Sequence, residues 1–121
     1  MRFYWITAAL ILLTACSTQS HSTTLAKSSG KASWYGAYHQ GKLTANGERF
    51  NRHELTAAHR TLPFGTKVKV TNTISQKSVI VRINDRGPYV KDRIIDLSRA
   101  AAEEINLVNR GVAPVHIQVL R

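Results

Sequence analysis

Residues 66–72, T-K-V-K-V-T-N, alternate polar and apolar positions and set Val68 and Val70 on one face. Residues 78–84, S-V-I-V-R-I-N, set Val79, Val81 and Ile83 against Ser78, Ile80 and Arg82. A period of two marks a half-buried strand. The T-I-S-Q-K between them is of turn length, so 66–84 reads as a β-hairpin. V-H-I-Q-V-L (115–120) alternates again, with Val115, Ile117 and Val119 inward. R-I-I-D-L (93–97) is a short strand, G-K-A-S-W-Y (30–35) supplies the first, and L-T-A-A-H (55–59) fits a strand or a turn. One helix is predicted: Ser98 is a good N-cap for R-A-A-A-E-E-I-N, and Asn109-Arg110-Gly111 ends the segment. Short strands with a single helix predict a mainly β chain, folded as a small barrel with the helix on its side.

The first residues stand outside this pattern. M-R-F-Y-W-I-T-A-A-L-I-L-L-T-A-C holds one Arg and then an apolar run to Leu13. A stable membrane span needs roughly 20 apolar residues, so this run fits an export signal instead. Leu13-Thr14-Ala15-Cys16 resembles the lipobox of bacterial lipoprotein signals, which makes Cys16 the lipidated first residue of the mature chain. Cys16 is the only cysteine, so it has no internal disulfide partner. Ser17 follows it rather than an Asp retention signal, which implies the outer membrane, facing the periplasm, in a two-membrane bacterium. The Ser/Thr-rich S-T-Q-S-H-S-T-T-L-A-K-S-S-G reads as a flexible tether. The division is therefore 1–15 signal, 16–29 lipidated Cys and linker, and 30–121 one small domain near the lower size limit for a single core.

Charge sharpens the choice of partner. The chain carries 17 Lys and Arg against 7 Asp and Glu, a net charge of +10. An exported chain with scattered basic residues is not a nucleic-acid binder. Anionic lipid head groups, teichoic-type polymers and peptidoglycan carboxylates are the fitting counterparts, with a merely solvated basic surface as the alternative.

The acidic residues are few enough to weigh singly. Glu54 in R-H-E-L, Asp92 between Lys91 and Arg93, and Glu103 and Glu104 past the first helical turn all read as surface, Asp92 as a surface ion pair. Glu48, Asp85 and Asp96 remain. Glu48 leaves the tight Asn46-Gly47 turn. Asp85 ends a strand just before Gly87-Pro88, where sites on rigid scaffolds are built and where an Asp can equally cap a turn. Asp96 alternates with Ile95 and Leu97 and so leaves its strand on the other face. Cleavage of a glycosidic bond calls for a proton donor, often with a second carboxylate across the site. His53 and His59 match no familiar zinc spacing, there is no H-E-x-x-H, and no G-x-S-x-G occurs, so neither metal nor cofactor nor a serine nucleophile is called for. Trp34, Tyr35, Tyr38 and Tyr89 flank turn-rich segments, where rings either stack on sugars or fill a small core.

Six segments occur in one family's order: G-K-A-S-W-Y-G (30–36), L-T-A-N-G-E-R-F (43–50), L-T-A-A-H-R-T-L-P-F-G-T (55–66), V-K-V-T-N (68–72), R-I-N-D-R-G-P-Y (82–89) and R-I-I-D-L-S-R-A-A-A (93–102). Together they resemble the rare lipoprotein A family over nearly all of 30–120. The resemblance implies a six-stranded double-psi β-barrel and a lytic transglycosylase that acts on peptidoglycan glycan strands. It places the family's functional carboxylates on Glu48 and Asp85 and its functional histidine on His59. Asp96 is a second-rank catalytic candidate, because expansins and some cellulases place an Asp of a similar motif in the polysaccharide site. The implied chemistry makes Asp85 the acid and base, with Glu48 supplying a like charge or steadying the transition state. His59 then orients a carboxylate or binds substrate. Tyr35, Asn46, Asn84, Arg86 and Tyr89 are the implied substrate contacts. Longer members carry a C-terminal SPOR domain that binds stripped glycan, and this chain ends at Arg121 after the barrel's last strand, which puts septal targeting in doubt. A non-cleaving, expansin-like wall-binding module is the alternative. A third class is a barrel that binds a protein of the envelope or the division machinery.

Overall fold

The computed structural model describes residues 27–120. The signal, Cys16 and most of the tether lie outside the described residues. Six strands are present: β1 (Lys27–Trp34), β2 (Thr56–Ala58), β3 (Lys67–Asn72), β4 (Ser78–Asp85), β5 (Arg93–Leu97) and β6 (Ala113–Leu120). They close a barrel in the order β1-β5-β2-β4-β3-β6. A single helical turn, Ala37–His39, follows β1, and one short helix, α1 (Arg99–Glu104), follows β5. The first strand starts three residues before the predicted boundary, so Lys27, Ser28 and Ser29 belong to the barrel, paired with Gln118, Ile117 and His116 of β6.

The alternation read from the hairpin holds. Val68 and Val70 of β3 and Val79, Val81 and Ile83 of β4 are buried, and Lys67, Lys69, Ser78 and Ile80 point out. Ala57, Ile95, Leu97, Val115 and Ile117 complete the interior, and Ala101, Ala102, Ile105 and Leu107 seal it from the helix side. The segment 55–59, open between strand and turn, is a strand of three residues buried on both faces. Ser98 caps α1 as predicted, accepting a hydrogen bond from the Ala101 N–H. Asn72, buried at the end of β3, donates to the Ile105 carbonyl and accepts from Ile74 N–H, which satisfies its amide and ties the hairpin turn to the helix end.

Two irregularities shape the wall. Between β1 and β5 the register moves from Lys31–Arg93 to Ala32–Ile95, leaving Ile94 as the extra residue. Ile94 lies against Gly30, where a Cβ would stand 2.6 Å from its Cγ2. Only glycine lets the bulged strand approach that closely. Between β2 and β4 the register moves from Ala57–Ile83 to Ala58–Asp85, leaving Asn84 as the extra residue. Asp92 makes no ion pair among the described residues. Its backbone is left-handed (φ 68°) and its carbonyl accepts from Lys31 N–H, so it serves the β4–β5 loop and not the surface pair expected of it.

Candidate active site

The second bulge decides where Asp85 points. Strict alternation from Val79, Val81 and Ile83 would send residue 85 into the core. The extra residue Asn84 shifts the phase, and Asp85 comes to lie beside Ala58. Ala58 is also the partner of Asp96, and Asp96 the partner of Ser33. One row thus crosses four strands: Asp85, Ala58, Asp96, Ser33. At about 4.8 Å per strand, the two aspartates stand about 10 Å apart at Cα, with the fully buried Ala58 as the residue between them in the row.

Each aspartate has its own holder. Asp85 Oδ1 accepts from the N–H groups of Ala45 and Arg86, both at 2.9 Å, and Oδ2 accepts from the Tyr35 hydroxyl at 2.8 Å. Burial, then the Asp85 carboxylate, pushes the Tyr35 phenol far up, so it stays a donor. Asp96 Oδ1 accepts from Ser33 Oγ. Burial raises the Asp96 pKa, and the Asp85 charge adds to the rise, against the Ser33 hydrogen bond and the charges of Arg93 and His39. The like charge facing one carboxylate is therefore the other aspartate.

Glu48 has different neighbours. Both its oxygens are held by the Arg82 guanidinium, at 2.9 and 3.1 Å, and Oε1 also accepts from Asn84 Nδ2 at 2.5 Å. These bonds, Arg82 first, hold its carboxyl down from the usual 4.5 to about 2. Glu48 is thus a fixed, neutralised charge bracing β4 against the 44–48 turn, not a proton donor. Glu54 lies 3.7 Å from the same guanidinium, at the surface as expected. A carboxyl whose folded pKa is depressed adds stability above its unfolded pKa and loses it as pH falls through the folded value. Acid titration of Glu48→Gln is expected to lack that component: wild type sheds it between pH 4.5 and about 2, and the variant enters the window already weaker. Equal acid midpoints and equal neutral stability would exclude the brace.

The remaining predicted residues divide. His59 Nδ1 accepts from the N–H groups of Thr61 and Leu62 at 3.2 and 3.1 Å, which leaves Nε2 to carry the proton of the neutral ring. Burial, with Arg86 and Arg60 nearby, lowers its pKa. His59 makes no side-chain bond to either aspartate among the described residues, so the orienting role falls to Tyr35. Asn46 Oδ1 accepts from Thr44 Oγ1 and Glu48 N–H, shaping the turn. Asn84 is buried and spends its amide on Glu48 rather than at the surface. Arg86 donates to the carbonyls of His59 and Leu62 and lies 3.9 Å over the Phe64 ring, so it ties down a loop. Tyr89 is 77% exposed and free to stack. Tyr35 packs on Phe50 and His39, and His39 on exposed Tyr38, extending a ring surface away from Asp85.

Sequence reasoning missed three residues. Ser33 was legible from the alternation of A-S-W, which turns it away from the core. Arg82 was legible as the outward neighbour two before Asn84. Arg60 carries no such signal: it is exposed, yet donates to the carbonyls of Pro88, Val90 and Arg93, clamping the loop that presents Tyr89. Among the described residues, no group of three or more His, Cys, Asp or Glu side chains is placed to hold a metal.

The closed six-stranded barrel carries this carboxylate row on its wall, and the sequence comparisons give the family. The chain belongs to the lytic transglycolase family, whose model matches residues 27–117. It is 58% identical over 92 residues to the probable endolytic peptidoglycan transglycosylase RlpA of Synechocystis sp., covering 76% of this chain and 29% of that one. It is 54% identical over 91 residues to the endolytic peptidoglycan transglycosylase RlpA of Campylobacter jejuni, covering 75% and 33%. The chain thus spans about a third of the length of these relatives. Among solved structures, the Streptomyces papain inhibitor superposes with a TM-score of 0.64 at 24% identity, over 79% of this chain and 96% of that one. An expansin of Clavibacter michiganensis superposes with a TM-score of 0.63 at 20% identity, over 79% and 51%. At those identities the likeness is one of fold, and the fold is the double-psi β-barrel.

Proposed function

We propose that this chain is an endolytic peptidoglycan transglycosylase. It would cut glycan strands between N-acetylmuramic acid and N-acetylglucosamine and leave 1,6-anhydro ends. The observation that carries the reading is the row Asp85–Ala58–Asp96 in a member of the lytic transglycolase family. Asp96, whose pKa is raised by burial, donates its proton to the bridging oxygen as the C1–O4 bond breaks. The C6 hydroxyl oxygen of the same muramic acid unit bonds to C1 and gives its proton to the Asp85 carboxylate, oriented by Tyr35. Proton count and charge balance: one carboxyl ionises, the other is protonated, and exchange with solvent resets them. His59 Nε2–H and the exposed ring of Tyr89 serve substrate binding. This differs from a single acid/base at Asp85, because burial raises the Asp96 pKa while the Tyr35 hydroxyl and two backbone N–H groups all donate to Asp85. Attachment through a lipid on Cys16, with the barrel facing the periplasm, belongs to the same proposal.

The test uses the chain from Ser17 onward, incubated with intact sacculi and with amidase-stripped glycan strands. Mass spectrometry of the released sugars is expected to find 1,6-anhydro-N-acetylmuramic acid ends. Protein that sediments with sacculi but releases nothing from either substrate would instead be the expansin-like binding module.

A further inference from the structure

The barrel is polarised by charge in a way the catalytic reading does not use. Strands β1, β6 and β3 are consecutive in the barrel and form the wall away from β4, β2 and β5. These three strands contain no Asp or Glu, and they carry Lys27, Lys31, Lys67, Lys69 and His116, all exposed. None of the four lysines makes an ion pair among the described residues. Two outward rows are legible from the register. Lys27 faces Gln118, which faces Lys69, and Ser29 faces His116, which faces Thr71. Ser29 Oγ and His116 Nδ1 are 2.7 Å apart. Between the rows lies a shallow groove of about 470 Å³, with lysines at its rims and hydroxyl, amide and imidazole groups on its floor. Two carboxylates border the wall from outside its strands: Asp92 beside a neighbouring groove along β1 and β6, and Glu104 beside a groove that Lys69 also lines.

We infer that this wall is a docking surface for anionic phospholipid head groups. Lysine ammonium groups beside hydroxyl and amide donors suit phosphate oxygens, and the three strands contribute no carboxylate of their own. Chain geometry favours a membrane over a soluble polymer. The described chain enters at Lys27, on this wall, and the segment from Cys16 to Lys27 reaches about 40 Å at most. Docked this way, the β1-β6-β3 wall faces the lipid and the Asp85–Asp96 row faces outward, toward the polymer it would act on. The inference stands independently of whether that row cleaves glycan.

The test is sedimentation of the unlipidated chain from Ser17 onward with vesicles. All six strands and the core lie within 27–120, so this chain carries the whole barrel. Vesicles of phosphatidylglycerol and phosphatidylcholine at 3:7 are compared with pure phosphatidylcholine. Binding to the anionic vesicles only is expected, lost in 0.5 M salt. A lysine near such a surface is worth roughly a fivefold change in binding, so Lys27→Gln/Lys69→Gln is expected to bind about twentyfold more weakly. Arg49→Gln/Arg52→Gln, with the same net charge but its losses in the β1–β2 loop, is expected to bind as wild type does. Release of anhydro sugars from soluble glycan strands is expected to be the same for Lys27→Gln/Lys69→Gln and wild type. Equal weakening by the two pairs would reduce the effect to net charge and overturn the surface. Loss of sacculus binding by Lys27→Gln/Lys69→Gln, with vesicle binding intact, would assign the wall to an anionic wall polymer and overturn the lipid.

Discussion

Asp85→Asn is expected to lower the rate of anhydro-end formation by roughly 10²–10⁴-fold, the range for loss of a positioned acid or base. The asparagine keeps the shape and can still accept from Ala45 and Arg86 N–H, so sacculus binding and thermal stability should change little. Asp96→Asn is expected to match it in size. The two differ in their effect on pH dependence. In wild type the rate is expected to fall at high pH, as Asp96, the group that must donate, loses its proton. The Ser33 hydrogen bond pulls the Asp96 pKa down against burial, so Ser33→Ala should move that limb to higher pH. If Asp96→Asn kept near wild-type activity, Asp85 would have to act alone as acid and base. If Ser33→Ala left that limb in place, Asp96 would not be the donor.

That pairing was only half visible in the sequence. Period two in T-K-V-K-V-T-N, S-V-I-V-R-I-N and V-H-I-Q-V-L displays strands that bury one face, and those strands are in place. The segment 55–59 stayed open because three residues buried on both faces show no period. Asp85 could be located at a strand end, but not aimed. Its direction depends on Asn84 being extra against β2, a relation between strands that no single strand records. The same holds for Ala58, an unremarked alanine until the register sets an aspartate on either side of it. Tyr35 was legible as an aromatic near turns, yet its bond to a carboxylate fifty positions away is a product of closure. Glu48 was legible as a carboxylate on a turn. Its neutralisation required knowing that Arg82 and Asn84 emerge on the same side, one bulge short of Asp85.

The wall behind the row sets the second large effect. Ile83→Ala is expected to cost about 2–5 kcal/mol, the range for emptying a fully buried aliphatic site. Ile83 is 0% exposed and sits in the core directly before the bulge. Its register partner on β2 is Ala57, already too small to shift into the space. Its backbone is pinned on the other side by Gly65 N–H and the Thr66 carbonyl, so the strand cannot collapse inward. The cavity therefore stays open, which favours the upper half of the range. For a domain of this size each kcal/mol moves Tm by about 4–8 °C, so calorimetry should register a fall of roughly 14–40 °C. Ile83→Val, one methylene smaller, is expected to cost about 0.5–1.5 kcal/mol. The chemistry should feel the same cavity below the melting range. Asp85 is aimed by a bulge that starts at Ile83, and loosening that point frees the row from its fixed spacing. Activity measured well below Tm is then expected to fall further in Ile83→Ala than in a variant of equal stability loss on β6, such as Ile117→Ala, which is remote from the row. Equal activity in the two at matched stability would mean that the bulge, not the packing beneath it, holds Asp85 in place.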